Sequence, residues 1–371
     1  MQDDFRFMRR ALFLAGRGQY HVRPNPMVGA VLVKNGKIIG EGWHEYYGGP
    51  HAEVEAFNHC TEDPEGAVLY VTLEPCAHYG KTPPCTELII SKKISRVVAA
   101  MEDPNPLVSG RGITRLKEAG IQVQCGLLER ESRILNEIFI KYIVKKIPFV
   151  IYKSAVSMDG KCACATGDSQ WISGEESRRR SHERRGSYAG IMTGIGTVLA
   201  DNPRLTGRTE GHDEPVRIIA DGNLSVPLES RILHETGKNI FLITEAAAQK
   251  KKGEVKQLGA ELIETPISQG GVDLAYAMKE LGSRGIDSIL LEGGPTLAAG
   301  AFTAGIIDKV ELYVAPLIVG GTRAPGPVGG VGAVTVSRGI GLKHLSWAML
   351  GSDVLVPAQS DKECLLCCQL V

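Results

Sequence analysis

The sequence predicts two α/β domains joined near residue 146, and three features carry that prediction. At 371 residues the chain is longer than a typical single-core domain. Short apolar strand patterns alternate with helical patterns in each half. At Lys145-Lys146-Ile147-Pro148 the periodicity stops and then restarts.

In the first half, Asp4 to Arg17 places Phe5, Met8, Leu12 and Ala15 at helical spacing. Pro24-Asn25-Pro26 breaks the chain. Val28 to Val33 and Lys37 to Gly42 read as a hairpin turned at Asn35-Gly36, a pair suited to positive φ. His51 to Asn58 reads as a helix and Ala67 to Leu73 as a buried strand. Pro83-Pro84 is expected to open a helix reaching about Lys92, since proline suits the first helical turn. Arg96 to Met101 is a strand, Gly112 to Ala119 a helix and Ile121 to Cys125 a strand. This order argues for an α/β/α sandwich over residues 1–146. The second domain, 147–357, has strands expected at Phe149 to Ser154, Ala189 to Thr193, Val216 to Ala220, Asn239 to Thr244 and Ser288 to Glu292. Helical patterns between them predict a mostly parallel sheet, with Val310 to Ala315 added to it. Gly320 to Gly332 reads as a loop. Residues 358–371, with Cys364, Cys367 and Cys368, read as a tail without an assigned role.

Composition narrows the function. The chain is 43% hydrophobic and 23% charged, with 42 basic and 42 acidic side chains and no net charge. A protein that grips nucleic acid through phosphates carries a basic excess, so a small-molecule substrate is expected. No apolar stretch reaches the roughly 18 residues of a membrane span. The acidic start, Met1-Gln2-Asp3-Asp4-Phe5, lacks the layout of a signal peptide. A cytoplasmic location is therefore expected, where thiols stay reduced. The nine cysteines form no disulfide framework and are better read as metal ligands or nucleophiles.

The strongest chemical signal is His51-Ala52-Glu53, followed after one strand by Pro75-Cys76 and then Cys85. One imidazole and two thiolates leave zinc a fourth position for water, as an open catalytic site requires. Glu53, two residues from His51, stands where a proton can pass from water to a departing amine without binding the metal. Zinc nucleobase deaminases share this layout, H-x-E followed by P-C-x-x-C. Singly, each residue has an ordinary reading: a core or surface histidine, or small buried cysteines. Jointly, a helix-opening His-Ala-Glu and a Pro-Cys leaving the next strand favour the metal site. At a helix N-terminus Cys85 would be favoured as thiolate. The pattern departs from the general one in the eight residues between Cys76 and Cys85. Two other readings stand beside this one: an RNA or DNA base deaminase with an appended domain, and a non-catalytic zinc module. The zero charge and the long insert oppose the first, and Glu53 opposes the second.

With that insert, Thr72 to Cys85 closely resembles the bifunctional deaminase/reductase family of riboflavin biosynthesis. The resemblance extends to Pro24 through Gly29, His51-Ala52-Glu53, Asp103-Pro104-Asn105-Pro106 and Gly110-Arg111-Gly112. In the second half it includes Ser157 to Gly160, Gly167 to Ile172, Leu199 to Pro203 and Glu292 to Leu297. It implies a cytidine-deaminase-like first domain that removes the 2-amino group of a diaminopyrimidinone carrying a phosphoribosylamino arm. It implies a second domain, similar in fold to dihydrofolate reductase, that reduces the ribosyl chain to ribityl with NADPH. By the same resemblance Asn25, His44, His78 and Lys81 line the deaminase pocket, Lys81 being suited to a phosphate. A homo-oligomer, dimer or tetramer, is expected.

The reductase half is less legible from residue types. Thr193-Gly194-Ile195-Gly196-Thr197 begins like a dinucleotide fingerprint, but Leu199 stands at the third glycine position, which argues against a Rossmann domain. Glu292-Gly293-Gly294-Pro295-Thr296 leaves a strand and enters a helix, as either a phosphate loop or a plain turn. The resemblance places cofactor contacts on Ala155, Trp171, Thr197, Asp201 and the run Gly294, Pro295, Thr296, Leu297, Ala298, Ala299, Gly300. It places substrate contacts on Ser169, Arg185, Leu205, Arg208 and Glu292. Arg178 to Arg180 read as a solvated face, whereas Arg185 and Arg208 suit a sugar phosphate through their forked donors.

Overall fold

The computed structural model describes residues 2–79, 83–106, 108–207, 214–268 and 271–361. The chain divides into two compact units, one from Met1 to Lys145 and one from Lys146 onward.

The first unit contains α1 (Gln2–Gly16), β1 (Gly29–Lys34), β2 (Lys37–Trp43), α2 (Ala52–Asn58), β3 (Val68–Val71) and α3 (Cys85–Ser91). β4 (Arg96–Ala99), α4 (Arg111–Glu118), β5 (Gln122–Cys125), α5 (Glu129–Leu135) and α6 (Glu137–Lys145) complete it. The β1–β2 turn has φ of 50° at Asn35 and 75° at Gly36, the backbone twist that suits a two-residue hairpin. The sheet order is β2-β1-β3-β4-β5. β1 pairs antiparallel with β2 and β3, while β3, β4 and β5 run parallel.

Period-2 alternation along β1 builds the layers. Ala30 and Leu32 face a core with Ala52 and Ala56 of α2, Ile89 of α3 and Leu116 of α4. Val31 and Val33 face the opposite core with Phe7, Met8, Ala11 and Leu14 of α1. The unit is thus an α/β/α sandwich, and the parallel strands deliver their C-terminal ends to α2, α3 and α4. One expectation needs correction: Pro84 is not inside α3 but is its N-cap, with φ −58° and ψ 137°. A residue preceding proline is held extended, so Pro83 cannot start the helix and Cys85 becomes its first residue. Sequence reasoning also left α5 and α6 unassigned.

The second unit opens with β6 (Phe149–Ser157), α7 (Glu175–Arg185), β7 (Gly190–Gly194), α8 (Ile195–Asp201) and β8 (Val216–Ala220). It continues with α9 (Arg231–His234), β9 (Asn239–Ile243), α10 (Gln249–Gln257), β10 (Glu261–Glu264) and the short pair β11 (Ile267–Ser268) and β12 (Gly271–Val272). Then come α11 (Leu274–Ser283), β13 (Ser288–Leu291), α12 (Pro295–Thr303), β14 (Lys309–Ala315), β15 (Leu342–Lys343), β16 (Ala348–Leu350) and β17 (Asp353–Ser360). The main sheet runs β10-β9-β8-β7-β13-β6-β14-β17-β15, with β16 also on β17. Strands β10 through β14 in that order are parallel, and β17 is antiparallel to β14. One face packs on α11 and α12 through Met278, Leu281, Ala298 and Ala301. The other packs on α8, α9 and α10 through Val198, Ile232, Leu233 and Val255. Both faces being covered explains why these strands are mostly apolar.

The last strand, β17, runs past the expected domain boundary at 357. β17 pairs with β14 through Gln359↔Lys309, and Ala358 and Ser360 are buried, so the sheet reaches Ser360. Cys364, Cys367 and Cys368 lie outside the described residues. Among the described residues no helix is long and apolar enough to cross a membrane.

Candidate active sites

In the first unit three ligand-type residues meet. His51 is the N-cap of α2, Cys76 follows the end of β3, and Cys85 begins α3. Their donor atoms lie within 4.8 Å of one another. Nδ1 of His51 is 3.2 Å from Sγ of Cys85 and 3.5 Å from Sγ of Cys76. The Cys85 backbone N–H donates to Sγ of Cys76 at 3.4 Å. The widened spacing is absorbed by the loop between the two cysteines, which are neighbours in space.

The three groups are strongly coupled in charge. The hydrogen bond to Cys76 raises His51 to about 9, with the charges of Glu53 and Cys76 adding to it against burial. Hydrogen bonds from Cys85 and His51 hold Cys76 well below the ordinary thiol range. The hydrogen bond to Cys76, then burial, pushes Cys85 up. Two sulfurs this close resist carrying a second negative charge unless a cation lies between them. Glu53, in the first turn of α2, is buried at 4% exposure, and burial raises its carboxyl.

The other pocket residues fall beside this cluster. His44 is buried, and its Nδ1 donates to the Pro50 carbonyl at 2.9 Å, leaving Nε2 to accept from the Asn25 amide at 3.1 Å. Burial lowers the pKa of His44, and its ring meets that of His51 edge-on at 5.9 Å. His78 lies near Asp103, whose carboxyl is raised by burial and lowered in part by the His78 charge. Lys81 lies outside the described residues.

In the second unit the candidate residues gather at the C-terminal ends of parallel strands. β7 and β13 are adjacent, and each leads directly into a helix. Gly194 caps α8 and Gly294 caps α12, with Pro295 in the first turn. A Cβ built on Gly294 would lie 3.9 Å from Oγ1 of Thr197, and one on Gly194 would lie 3.5 Å from Cβ of Leu297. Two helix N-termini therefore stand side by side, a setting that favours anionic groups. A Cβ on Gly293 would come within 2.8 Å of Cδ2 of Leu297, so a side chain there would displace the leucine tip.

Glu292, just beyond β13, accepts from Arg185 of α7 at 2.6 Å and from Ser181 at 3.4 Å. Burial would raise its carboxyl, but Arg185 and then Lys153 outweigh this and leave it at about 2. Arg185 is thus committed to Glu292 rather than standing free. Sequence reasoning missed Lys153, although it is the lone charge of β6, an otherwise uncharged strand. Its ammonium lies over the Tyr313 ring at 5.5 Å.

The reading of Arg178 to Arg180 as a solvated face holds for Arg179 alone. Arg178 stacks on the exposed Trp171 at 4.9 Å, and Nε of Arg180 is buried without a partner. Arg184 forms a buried pair with Glu311 at 2.9 Å. Ala155 lies on β6 and is half-buried, Ser169 is half-buried, and Asp201 is exposed at the end of α8. Leu205 and Ala298 send their side chains into hydrophobic cores, so only their backbones remain for contacts. Arg208 lies outside the described residues.

Comparison with known proteins agrees with this two-site layout. Residues 148–356 match the family described as the RibD C-terminal domain, and residues 1–101 match the cytidine and deoxycytidylate deaminase zinc-binding region. The riboflavin biosynthesis protein RibD of Actinobacillus pleuropneumoniae is 44% identical over 354 residues, 95% of this chain and 94% of that protein. The chain belongs to the RibD family. The RibD of Escherichia coli K12 is 42% identical, covering 86% of this chain and 89% of that one. The structure of the Acinetobacter baumannii RibD superposes with a TM-score of 0.86 at 35% identity, over 97% of this chain and 99% of that one. A Thermotoga maritima structure titled as a diaminohydroxyphosphoribosylaminopyrimidine deaminase/5-amino-6-(5-phosphoribosylamino)uracil reductase gives 0.83 at 38% identity, over 97% and 99%. As a RibD family member the chain is a bifunctional deaminase and reductase of riboflavin biosynthesis. Its first unit has the cytidine-deaminase-like fold, and the base-deaminase alternative with an unrelated appended domain is set aside.

Proposed function

We propose that the first unit deaminates 2,5-diamino-6-(5-phosphoribosylamino)pyrimidin-4(3H)-one with zinc, and that the second reduces the ribosyl chain of the product with NADPH. The observation that carries the first half is the convergence of His51, Cys76 and Cys85 within 4.8 Å beside buried Glu53. Ligands around one tetrahedral zinc, at about 2.3 Å for sulfur and 2.0–2.1 Å for nitrogen, stand roughly 3.5 Å apart. The separations of 3.2 and 3.5 Å between His51 and the two sulfurs fit that set. Zinc held there supplies Lewis acidity that makes water nucleophilic near neutral pH. Glu53 takes a proton from the attacking water and returns it to the leaving amine. Its burial raises the carboxyl toward the range in which both transfers run well. Asn25 and His44 present fixed polar atoms to the heterocycle, since burial favours the neutral His44 ring and the Pro50 carbonyl orients it.

In the second unit the paired N-termini of α8 and α12 suit the cofactor phosphates, with Thr197 and the run from Gly294 beside them. Glu292 and Arg185 form the polar wall for the substrate ribose, and Lys153 stands close enough to act on Glu292. Lys81 and Arg208 remain proposed phosphate contacts by family resemblance.

Metal analysis of Cys85→Ser tests the zinc assignment. Wild type is expected to hold one zinc per chain tightly, and the variant to lose it on dialysis together with deaminase activity. Full zinc retention by the variant would remove Cys85 from the ligand set.

We further propose that the chain works in the cytoplasm as a homo-oligomer joined through residues 328–349. In this segment Val331 and Val336 are almost fully exposed, and Leu345 and Trp347 are 66% and 70% exposed. Several large apolar side chains exposed on one segment suit an interaction surface. Trp347→Asp with Leu345→Asp should lower the mass seen in analytical ultracentrifugation to that of a single chain, 39.9 kDa. A wild-type protein already at that mass contradicts the assembly.

A further inference from the structure

The deaminase site as described leaves one buried carboxylate without a role. Glu74 is 5% exposed, follows the bend after β3, and lies two residues before Cys76. Its backbone N–H donates to the Met101 carbonyl at 2.9 Å, continuing the β3–β4 pairing past the strand ends. Among the described residues no cationic side chain pairs with its carboxylate. It accepts instead from backbone N–H groups: Oε2 from Asp103 and Gly110, both at 3.0 Å, and Oε1 from Gly112 at 2.8 Å and Ile113 at 3.1 Å.

These donors come from one segment. Gly112 and Ile113 lie in the first turn of α4, where N–H groups have no partner within the helix. Gly110, the N-cap, has φ 72°, which aims its N–H at the same carboxylate and suits glycine. Glu74 thus caps α4 from outside the helix and ties down the Asp103 end of the preceding loop.

The contact beneath it is equally close. A Cβ on Gly112 would sit 1.9 Å from the Pro75 carbonyl oxygen and 3.1 Å from Oε1 of Glu74. α4 therefore lies flat on the peptide that carries Cys76. On its other side Cys76 is held by α3, whose Thr86 N–H donates to the Cys76 carbonyl at 3.2 Å. Cys76 is gripped between two helix N-termini, and Glu74 fastens one of them.

We propose that Glu74 is a positioning residue of the deaminase centre, whose carboxylate locks α4 and the Asp103 loop onto Pro75 and so sets Cys76 against His51 and Cys85. The proposal rests on the zinc reading of those residues. Glu74 acts through Cys76, so its loss should weaken metal retention and kcat more than KM. A glutamine keeps the shape but has one acceptor oxygen, and its NH2 would face N–H donors. Aspartate keeps the charge but is one methylene short of the donors.

The test uses the full-length zinc-loaded protein. Zinc release to an excess of EDTA is timed for wild type, Glu74→Asp and Glu74→Gln, and the cobalt-substituted forms are compared by their thiolate-to-cobalt absorption. Removing an outer-shell partner of a metal ligand typically costs about 10- to 100-fold in metal affinity or activity. Release should quicken on that scale in Glu74→Gln and by less in Glu74→Asp, with a shifted cobalt band and unchanged reductase rate. Gly112→Ala, which leaves the carboxylate intact but crowds Pro75, should quicken release as well. Wild-type release and spectrum in Glu74→Gln would overturn the proposal. So would parallel loss of both activities in Glu74→Asp and Glu74→Gln, which would make Glu74 a residue of general folding. A wild-type protein that binds no zinc would instead defeat the underlying metal reading.

Discussion

Glu53→Gln should abolish deamination while leaving reduction intact. Glutamine matches glutamate in size and hydrogen-bonding shape but cannot carry a proton from water to the leaving amine. General acid–base catalysis contributes about 10²- to 10⁴-fold, or roughly 3–5 kcal/mol of barrier. Zinc content should stay at the wild-type level, because Glu53 is not among the clustered ligand atoms. The reductase residues belong to the other compact unit, so NADPH consumption on the deaminated intermediate should continue at the wild-type rate. A deaminase kcat within a factor of about three of wild type would contradict the role of Glu53. Loss of both activities with zinc retained would show that the units are coupled in catalysis.

The second large effect is expected at Glu292. Its carboxylate and Arg185 neutralise one another at 11% and 13% side-chain exposure, respectively. Glu292→Gln leaves a buried guanidinium without its counter-charge, a loss of about 3–5 kcal/mol in comparable buried pairs. The same pair makes the second unit sensitive to acid. In the folded chain Glu292 stays ionised down to about 2, whereas its ordinary value is 4.5. Below 4.5 the unfolded chain takes up the proton first, so stability present above that pH is lost as the pH falls towards 2. Thermal unfolding from pH 7 to pH 3 should show this decline in wild type and a flatter profile in Glu292→Gln. Equal slopes would mean that the pair does not hold its charge in the fold. Reductase activity should fall in the variant with the deaminase spared.

The fold was largely legible because its strands are short, buried and parallel. Val216–Ala220 was readable from end to end, since a strand covered on both faces is mostly apolar and here only Arg217 interrupts the run. The hairpin at Asn35-Gly36 was equally plain, because few residues other than glycine and asparagine accept its φ values. The helices from Glu129 to Lys145 escaped notice, since their charges and a break at Asn136 interrupt the apolar stripe. In the deaminase unit the ligand types and the proton carrier stood in a recognisable local order. Reading Glu74 required knowing where four backbone N–H groups point, which no residue identity reports. In the reductase unit the site is assembled from strand ends far apart in sequence, and there identity says less. Arg184 drew no reading from its own surroundings in the sequence, because its partner Glu311 comes from β14, more than a hundred residues away. Lys153 carried a signal that was available, a lone cation in a buried strand.

The central claim, two successive activities in one chain, is tested most directly by product masses. The phosphoribosylated diaminopyrimidinone is incubated with zinc-loaded enzyme, first alone, then with NADPH, then with NADH at equal concentration. Without a nicotinamide cofactor the product should gain the mass difference of an amino group exchanged for an oxygen function, with ammonia released, and go no further. With NADPH the deaminated product should also gain two hydrogens, and with NADH this second step should be slower. Two added hydrogens without deamination, or an unchanged substrate in the absence of NADPH, would contradict the account.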